Sequence, residues 1–195
     1  MGNAKSTLTC GTLSNNENKC SKSKKVNALI IVDVQNDFIT GSLALKNGEE
    51  VVPVINNLLK TIPFDVVVYT ADWHPKNHIS FYENIGLRKD EISSDSKVNA
   101  ETAKLFDQVT FKGDVDQILW PTHCVQGTFG AQFHKDLYIV KKHILLHKGS
   151  NPEVDSYSAF RGVDHTSIAA RVGDLKKNGC EFTQSSMVKQ MVQEK

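Results

Sequence analysis

The chain has 195 residues, of which 39% are hydrophobic and 23% charged, with a formal net charge of +1. That length and balance suit one globular domain with a real core, and the near-neutral charge argues against a dedicated nucleic-acid binder. No run approaches the ~20 apolar residues of a transmembrane helix, and the N-terminus has no apolar signal region.

Cys10, Cys20, Cys124 and Cys180 lack the spacing of a zinc ribbon or a disulfide scaffold, so a reducing cytoplasm is the expected setting. Charge is unevenly spread. Residues 1–25 hold five lysines against Glu17, a net of +4, and the remainder nets −3. This Ser-, Thr-, Asn- and Lys-rich segment has too few large apolar residues to offset its ordering entropy, and it reads as a disordered basic tail. Its start, Met1-Gly2-Asn3-Ala4-Lys5-Ser6, fits the N-myristoylation pattern on Gly2. One acyl chain binds a membrane only reversibly, and Lys19, Lys22, Lys24 and Lys25 supply a second, electrostatic attraction. A leader that carries no lipid is the competing reading.

Val26–Asp33 is a continuous apolar run ending in an acid, as expected of a strand buried on both faces of a parallel sheet. Val51–Lys60 places Val51, Val54, Ile55, Leu58 and Leu59 at helical spacing. Asp65–Asp72 repeats the strand pattern, and His143–Lys148 does so a third time. Between them, 73–142 is too long for an ordinary loop, and a short helix is expected near Glu101–Gln108. Thr166–Lys177 is a further helix, with Ile168, Ala169, Val172 and Leu175 on one face and Asn178-Gly179 as its stop. Strands alternating with helices predict an α/β fold, a Rossmann-like parallel sheet with flanking helices.

The three strands end in Asp33, Asp72 and Lys148. Ligands of open α/β sheets bind at the carboxyl ends of strands, so three charged ends on one crevice point to a site, against the plainer reading of surface charge. On extended backbone residues i and i+2 share a side, which places Asp72 and His74 together. A carboxylate and an imidazole there could take two positions on a divalent metal. His123 is the best third ligand, and His78 is another candidate, either on the metal or hydrogen-bonded to a ligand.

Ile31-Val32-Asp33-Val34-Gln35-Asn36-Asp37-Phe38, Asp72-Trp73-His74-Pro75-Lys76-Asn77-His78-Ile79-Ser80-Phe81, Trp120-Pro121-Thr122-His123-Cys124-Val125-Gln126-Gly127-Thr128, Lys148-Gly149 and Ser156-Tyr157-Ser158-Ala159-Phe160 together resemble the nicotinamidases of the isochorismatase-like cysteine hydrolases. The resemblance implies hydrolysis of nicotinamide to nicotinic acid and ammonia through a cysteine thioester, a step of NAD salvage. It implies Asp33 as general base and Lys148 as the cation beside the thiolate. It also implies Asp72, His74 and His123 as ligands of a metal, zinc foremost, that receives the pyridine nitrogen. Phe38, Trp120 and Tyr157 match the aromatic walls around the ring.

The match does not extend to the nucleophile. In the family a fourth strand ends at the reactive cysteine, whereas here Lys177-Asn178-Gly179 leads into Cys180-Glu181-Phe182 and the sequence runs on to Lys195. The expected organisation is a basic tail at 1–25, a partial isochorismatase-like domain at 26–179 without the family's strands 4–6, and a divergent tail at 180–195. Neither Cys124 nor Cys180 has the setting of a replacement thiol. The alternative reading is therefore a truncated, inactive isoform with a binding or regulatory role, its strand 26–33 open to pairing with another chain.

Overall fold

The computed structural model describes residues 26–157. The basic tail with Gly2, the helix expected at 166–177, Cys180 and the tail at 180–195 lie outside the described residues. Among the described residues there are five strands: β1 (Ala28–Val32), β2 (Val66–Asp72), β3 (Gln108–Phe111), β4 (Val115–Ile118) and β5 (Ile144–Lys148). Two α-helices accompany them, the single turn α1 (Asn36–Ile39) and α2 (Val51–Thr61).

The three apolar runs form one parallel sheet in the order β1-β2-β5. β1 pairs with β2 from Ala28↔Val66 to Val32↔Thr70, and β2 pairs with β5 from Val68↔Ile144 to Asp72↔Lys148. β2 lies in the middle, and every residue from Val67 to Asp72 is buried. A strand enclosed on both faces needs no polar alternation, which is why Val66-Val67-Val68-Tyr69 is continuous in the sequence. β1 and β5 are the outer strands of these three, and Val32 of β1 is 59% exposed.

One sheet face is covered by α2. Ile31, Val67 and Tyr69 pack with Val52 and Ile55 of the helix and with Leu137 of the long connection. Val and Ile are only moderate helix formers, up to about 0.7 kcal/mol poorer than Ala. Burying each contributes about 1.5–3 kcal/mol, so burial outweighs propensity here. The Tyr69 hydroxyl is satisfied inside this core, donating to the Tyr138 carbonyl at 2.8 Å and accepting the Val140 N–H at 3.2 Å.

The connection between β2 and β5 is a subdomain with its own core of Ile79, Ile85, Ala103, Val109, Phe111 and Leu119. Tyr82–Glu91 winds as 3-10 turns, and β3 and β4 form an antiparallel hairpin. The helix expected near Glu101–Gln108 is absent: 99–107 is a series of turns, and β3 begins at Gln108. The reason is local. The Asn99 side chain accepts the N–H groups of Glu101 and Thr102 at 3.0 Å, and Asp107 accepts that of Lys104 at 2.8 Å. Such side-chain bonds satisfy the backbone in turns and compete with a helix.

The subdomain returns to the sheet through backbone contacts at two places. Phe81 bridges Trp120 and His74 bridges Val125, both in parallel sense. Residues 118–126 thus run alongside 74–82, and this delivers His123 to the end of β2.

Candidate active site

Asp33, Asp72 and Lys148 meet at the carboxyl ends of β1, β2 and β5. The Lys148 ammonium sits 3.0 Å from Asp33 Oδ2 and in closer contact with Asp72 Oδ1. Lys148 and Asp72 are buried. Plain surface charge is thereby excluded: a buried lysine persists only with opposite charge around it. Asp33 has a left-handed backbone, φ 52°, unusual for a residue that is not glycine. Its Oδ1 accepts the Thr70 hydroxyl at 2.7 Å. Backbone strain of this kind collects at functional positions.

The three groups hold one another in defined states. Burial raises the Asp33 carboxyl above its ordinary value, against the pull of Lys148. Burial also acts on Asp72, but the His74 ring and Lys148 beside it hold that carboxyl down at about 2. Burial lowers the Lys148 ammonium, yet Asp72 and Asp33 outweigh it and its pKa is raised. The pair of acids is therefore split. Asp72 is a fixed anion, and Asp33 is the group nearer to accepting a proton.

Asp72 divides its oxygens. Oδ1 faces Lys148, and Oδ2 lies 3.6 Å from His74 Nε2 and 3.9 Å from His123 Nε2. All three residues are buried, and their ligand atoms lie within 4.8 Å of one another. The imidazole tautomers fit a metal. His74 Nδ1 is 2.9 Å from the Gly149 carbonyl and His123 Nδ1 is 2.7 Å from the Pro121 carbonyl. A carbonyl can only accept, so each Nδ1 carries the hydrogen and each Nε2 presents a lone pair inward. Bonds of about 2.0–2.2 Å to one ion set nitrogen and oxygen ligands roughly 3–4 Å apart, the spacing of Asp72 from both rings.

Gly149 is required at its position. It has φ 66°, and a Cβ there would overlap the His74 ring.

His78 does not join this set. Its Nε2–H donates to the Val154 carbonyl at 3.3 Å, and Nδ1 lies 2.7 Å from the Ser80 hydroxyl, so both nitrogens are engaged. Its ring packs against His74 with centroids 4.2 Å apart. Burial and the neighbouring His74 lower its pKa to about 4. The neutral ring is thus a wall behind His74, and neither alternative expected for His78, a place on the metal or a hydrogen bond to a ligand, is realised in this arrangement.

Phe38 meets His123 edge-on, with centroids at 5.5 Å. Trp120 and Tyr157 form a second aromatic pair, with centroids at 6.5 Å and the indole N–H donating to the Tyr157 hydroxyl at 3.3 Å. Phe106 extends this pair from an unexpected quarter, at 5.8 Å from Trp120 and with φ 70°. Arg88 was likewise hidden in a charged stretch. It is buried, donates to both oxygens of Glu153 at 2.7 and 2.9 Å, and also reaches the Asn77 carbonyl at 3.0 Å. This clamp ties the loop after Gly149 to the 3-10 turns.

Cys124, the cysteine among the described residues, is fully buried. Burial, with Asp72, Asp37 and Asp33 nearby, pushes its thiol far above the ordinary range. That setting favours the protonated thiol over the thiolate that a nucleophile needs.

Comparison with known proteins fits this geometry. The isochorismatase domain matches residues 27–164. The nicotinamidase of Acinetobacter baylyi is 39% identical over 156 residues, covering 79% of this chain and 64% of the relative. The yeast nicotinamidase bound to the inhibitor nicotinaldehyde is 31% identical with a TM-score of 0.61, covering 78% of this chain and 70% of that one. The pyrazinamidase of Pyrococcus horikoshii in complex with zinc is 27% identical with a TM-score of 0.50, covering 80% and 66%. The chain spans less than two thirds of the length of the curated relatives it matches. The match takes in all three described strands of the parallel sheet together with Asp33, Lys148 and the Asp72–His74–His123 triad, and the chain belongs to the isochorismatase family.

Proposed function

We propose that this site serves a nicotinamide amidohydrolase, converting nicotinamide and water to nicotinate and ammonia, with zinc held by Asp72, His74 and His123. One observation carries the reading: Lys148 lies between Asp33 and the metal-facing Asp72, so proton chemistry and ring orientation belong to a single buried network. The nicotinamidase relatives support the substrate class, the yeast enzyme's nicotinaldehyde supports an aromatic ring at such a site, and the zinc of the Pyrococcus protein supports the metal.

When bound, a divalent ion supplies an acceptor position for the pyridine nitrogen and so fixes the ring. Phe38 lies against the ligand His123, and Trp120 with Tyr157 forms an aromatic wall that suits a flat substrate. Asp33 takes the proton of an attacking thiol, and Lys148 steadies the anion that results. A carbon–sulfur bond forms at the amide carbon, the carbon–nitrogen bond breaks, and the proton on Asp33 leaves with ammonia. Water then cleaves the thioester with Asp33 again as base. Cys124 is not the thiol, so turnover by this chain draws it from Cys10, Cys20 or Cys180, outside residues 26–157, against the sequence expectation that no matching cysteine is present.

The test is ammonia release from nicotinamide by the purified, zinc-supplemented chain, compared with Asp33→Asn. The expected result is turnover in the parent and a loss of at least about 100-fold in the variant, the usual contribution of a general base. A folded, zinc-loaded chain that releases no ammonia would overturn the assignment of activity.

A further inference from the structure

Three polar residues, Gln35-Asn36-Asp37, follow β1 after Asp33 and Val34, and two of them bond to the backbone that carries the candidate metal ligands. Gln35 is fully buried. Its Oε1 accepts the Asp72 N–H at 2.8 Å while its Nε2 donates to the Asp72 carbonyl at 2.8 Å and to the Ala131 carbonyl at 2.8 Å. The β1 ladder ends at Val32↔Thr70, two residues short of Asp72. The Gln35 carboxamide therefore supplies the rung that the strand no longer reaches.

Asp37 serves the other two ligands. Its Oδ2 accepts the Cys124 N–H at 2.7 Å, and Cys124, the residue after His123, is held at φ 45°. The Cys124 carbonyl in turn accepts the His74 N–H at 3.1 Å, and the His74 carbonyl accepts the Gln126 N–H at 2.9 Å. One carboxylate thus fixes Cys124, whose N–H side carries His123 and whose carbonyl holds His74. The fit around it is close: a Cβ at Gly41 or at Gly130 would overlap the Asp37 carboxylate. Ser42 N–H also reaches Oδ1, at 3.3 Å.

We propose that Gln35 and Asp37 are positioning residues of the metal centre, which hold the backbones of Asp72, His74 and His123 so that the three ligand atoms converge. This rests on the metal reading above. Neither residue belongs to the set of ligand groups, so each would act on affinity and geometry through the ligands it sets.

The experiment is a zinc titration of the 195-residue chain against a competing chelator, with cobalt(II) absorption as a report of ligand geometry. Parent, Asp37→Ala, Asp37→Asn and Gln35→Glu are compared, with far-ultraviolet circular dichroism as the check on folding. Gln35→Glu keeps an acceptor for the Asp72 N–H but loses the donor to its carbonyl. Asp37→Asn keeps one oxygen for the Cys124 N–H. The expected result is zinc affinity weakened about 10–100-fold in Asp37→Ala and Gln35→Glu, with altered cobalt bands, and restored most of the way in Asp37→Asn. Folded variants with the parent's zinc affinity and cobalt spectrum would overturn the proposal, as would Asp37→Asn binding as weakly as Asp37→Ala. Should Asp37→Ala fail to fold, Gln35→Glu decides. A parent that binds no zinc overturns the metal reading itself, and this proposal with it.

Discussion

Replacing Lys148 by Met tests the charge arrangement at the heart of the site. The ammonium lies between the carboxylates of Asp33 and Asp72, 3.0 Å from the former and in direct contact with the latter. Met matches the length and apolar bulk of the stem but leaves two buried carboxylates with no cation between them. Breaking a buried ion pair by removing one partner costs about 3–5 kcal/mol. In a chain of this size that corresponds to a fall in Tm of roughly 6–20 °C at pH 7. The loss should shrink on acidification. Without Lys148, which lowers the Asp33 pKa, burial and Asp72 raise it further, so the folded state takes up a proton that the unfolded chain, near its ordinary 3.8, does not. Stability relative to the parent is therefore regained as pH falls from 7 toward 4. Urea unfolding of the metal-free proteins at pH 7, 5.5 and 4.5, followed by circular dichroism, reads the effect. A variant as stable as the parent at pH 7, or one whose deficit is the same at pH 4.5, would refute the reasoning.

Gly149→Ala should weaken zinc binding at least about ten-fold by pushing the His74 ring off its line, read by chelator competition, because the added Cβ meets that ring and the backbone is left-handed. Cys124 should resist alkylation in the native chain and react only on unfolding, as judged by peptide mapping after iodoacetamide, since its thiol is buried and its pKa raised. The metal-free chain should lose about 2 kcal/mol between pH 4 and pH 2. Asp72 has a folded pKa of about 2 against an ordinary 3.8, so its contribution is present above 3.8 and vanishes as pH falls through 2. Asp33, shifted the other way, returns some stability higher on the same scale. Acid unfolding monitored by tryptophan fluorescence measures the balance.

The parts of this fold that speak through hydrophobic pattern were readable in advance. β1, β2 and β5 are continuous apolar runs because each lies in a parallel sheet, and α2 buries Ile55 of the stripe read at helical spacing, together with Val52, which that stripe did not include. The site's charged ends were readable for the same reason, since an acid or a lysine closes each run at the edge of the sheet. The subdomain at 73–142 was not. Its turns at 99–107 are set by Asn99 and Asp107 bonding their own backbone, and its 3-10 segment is held by Arg88, a residue whose partner Glu153 is far away in the sequence. Gln35 and Asp37 carry no periodic signal. Their importance lies in which backbone atoms they face, and that follows only from the return of 118–126 alongside 74–82. The tautomers of His74 and His123 were equally out of reach, because carbonyls at Gly149 and Pro121 decide them.

The central claim is that Asp72, His74 and His123 hold a metal that makes this crevice a site for a pyridine amide. A calorimetric titration of nicotinamide into the zinc-loaded and the metal-free chain tests it most directly. Saturable binding to the zinc-loaded chain, lost on metal removal and in His74→Ala, is the result the account predicts. Equal binding with and without zinc, or none to a folded chain shown to carry the metal, would contradict it.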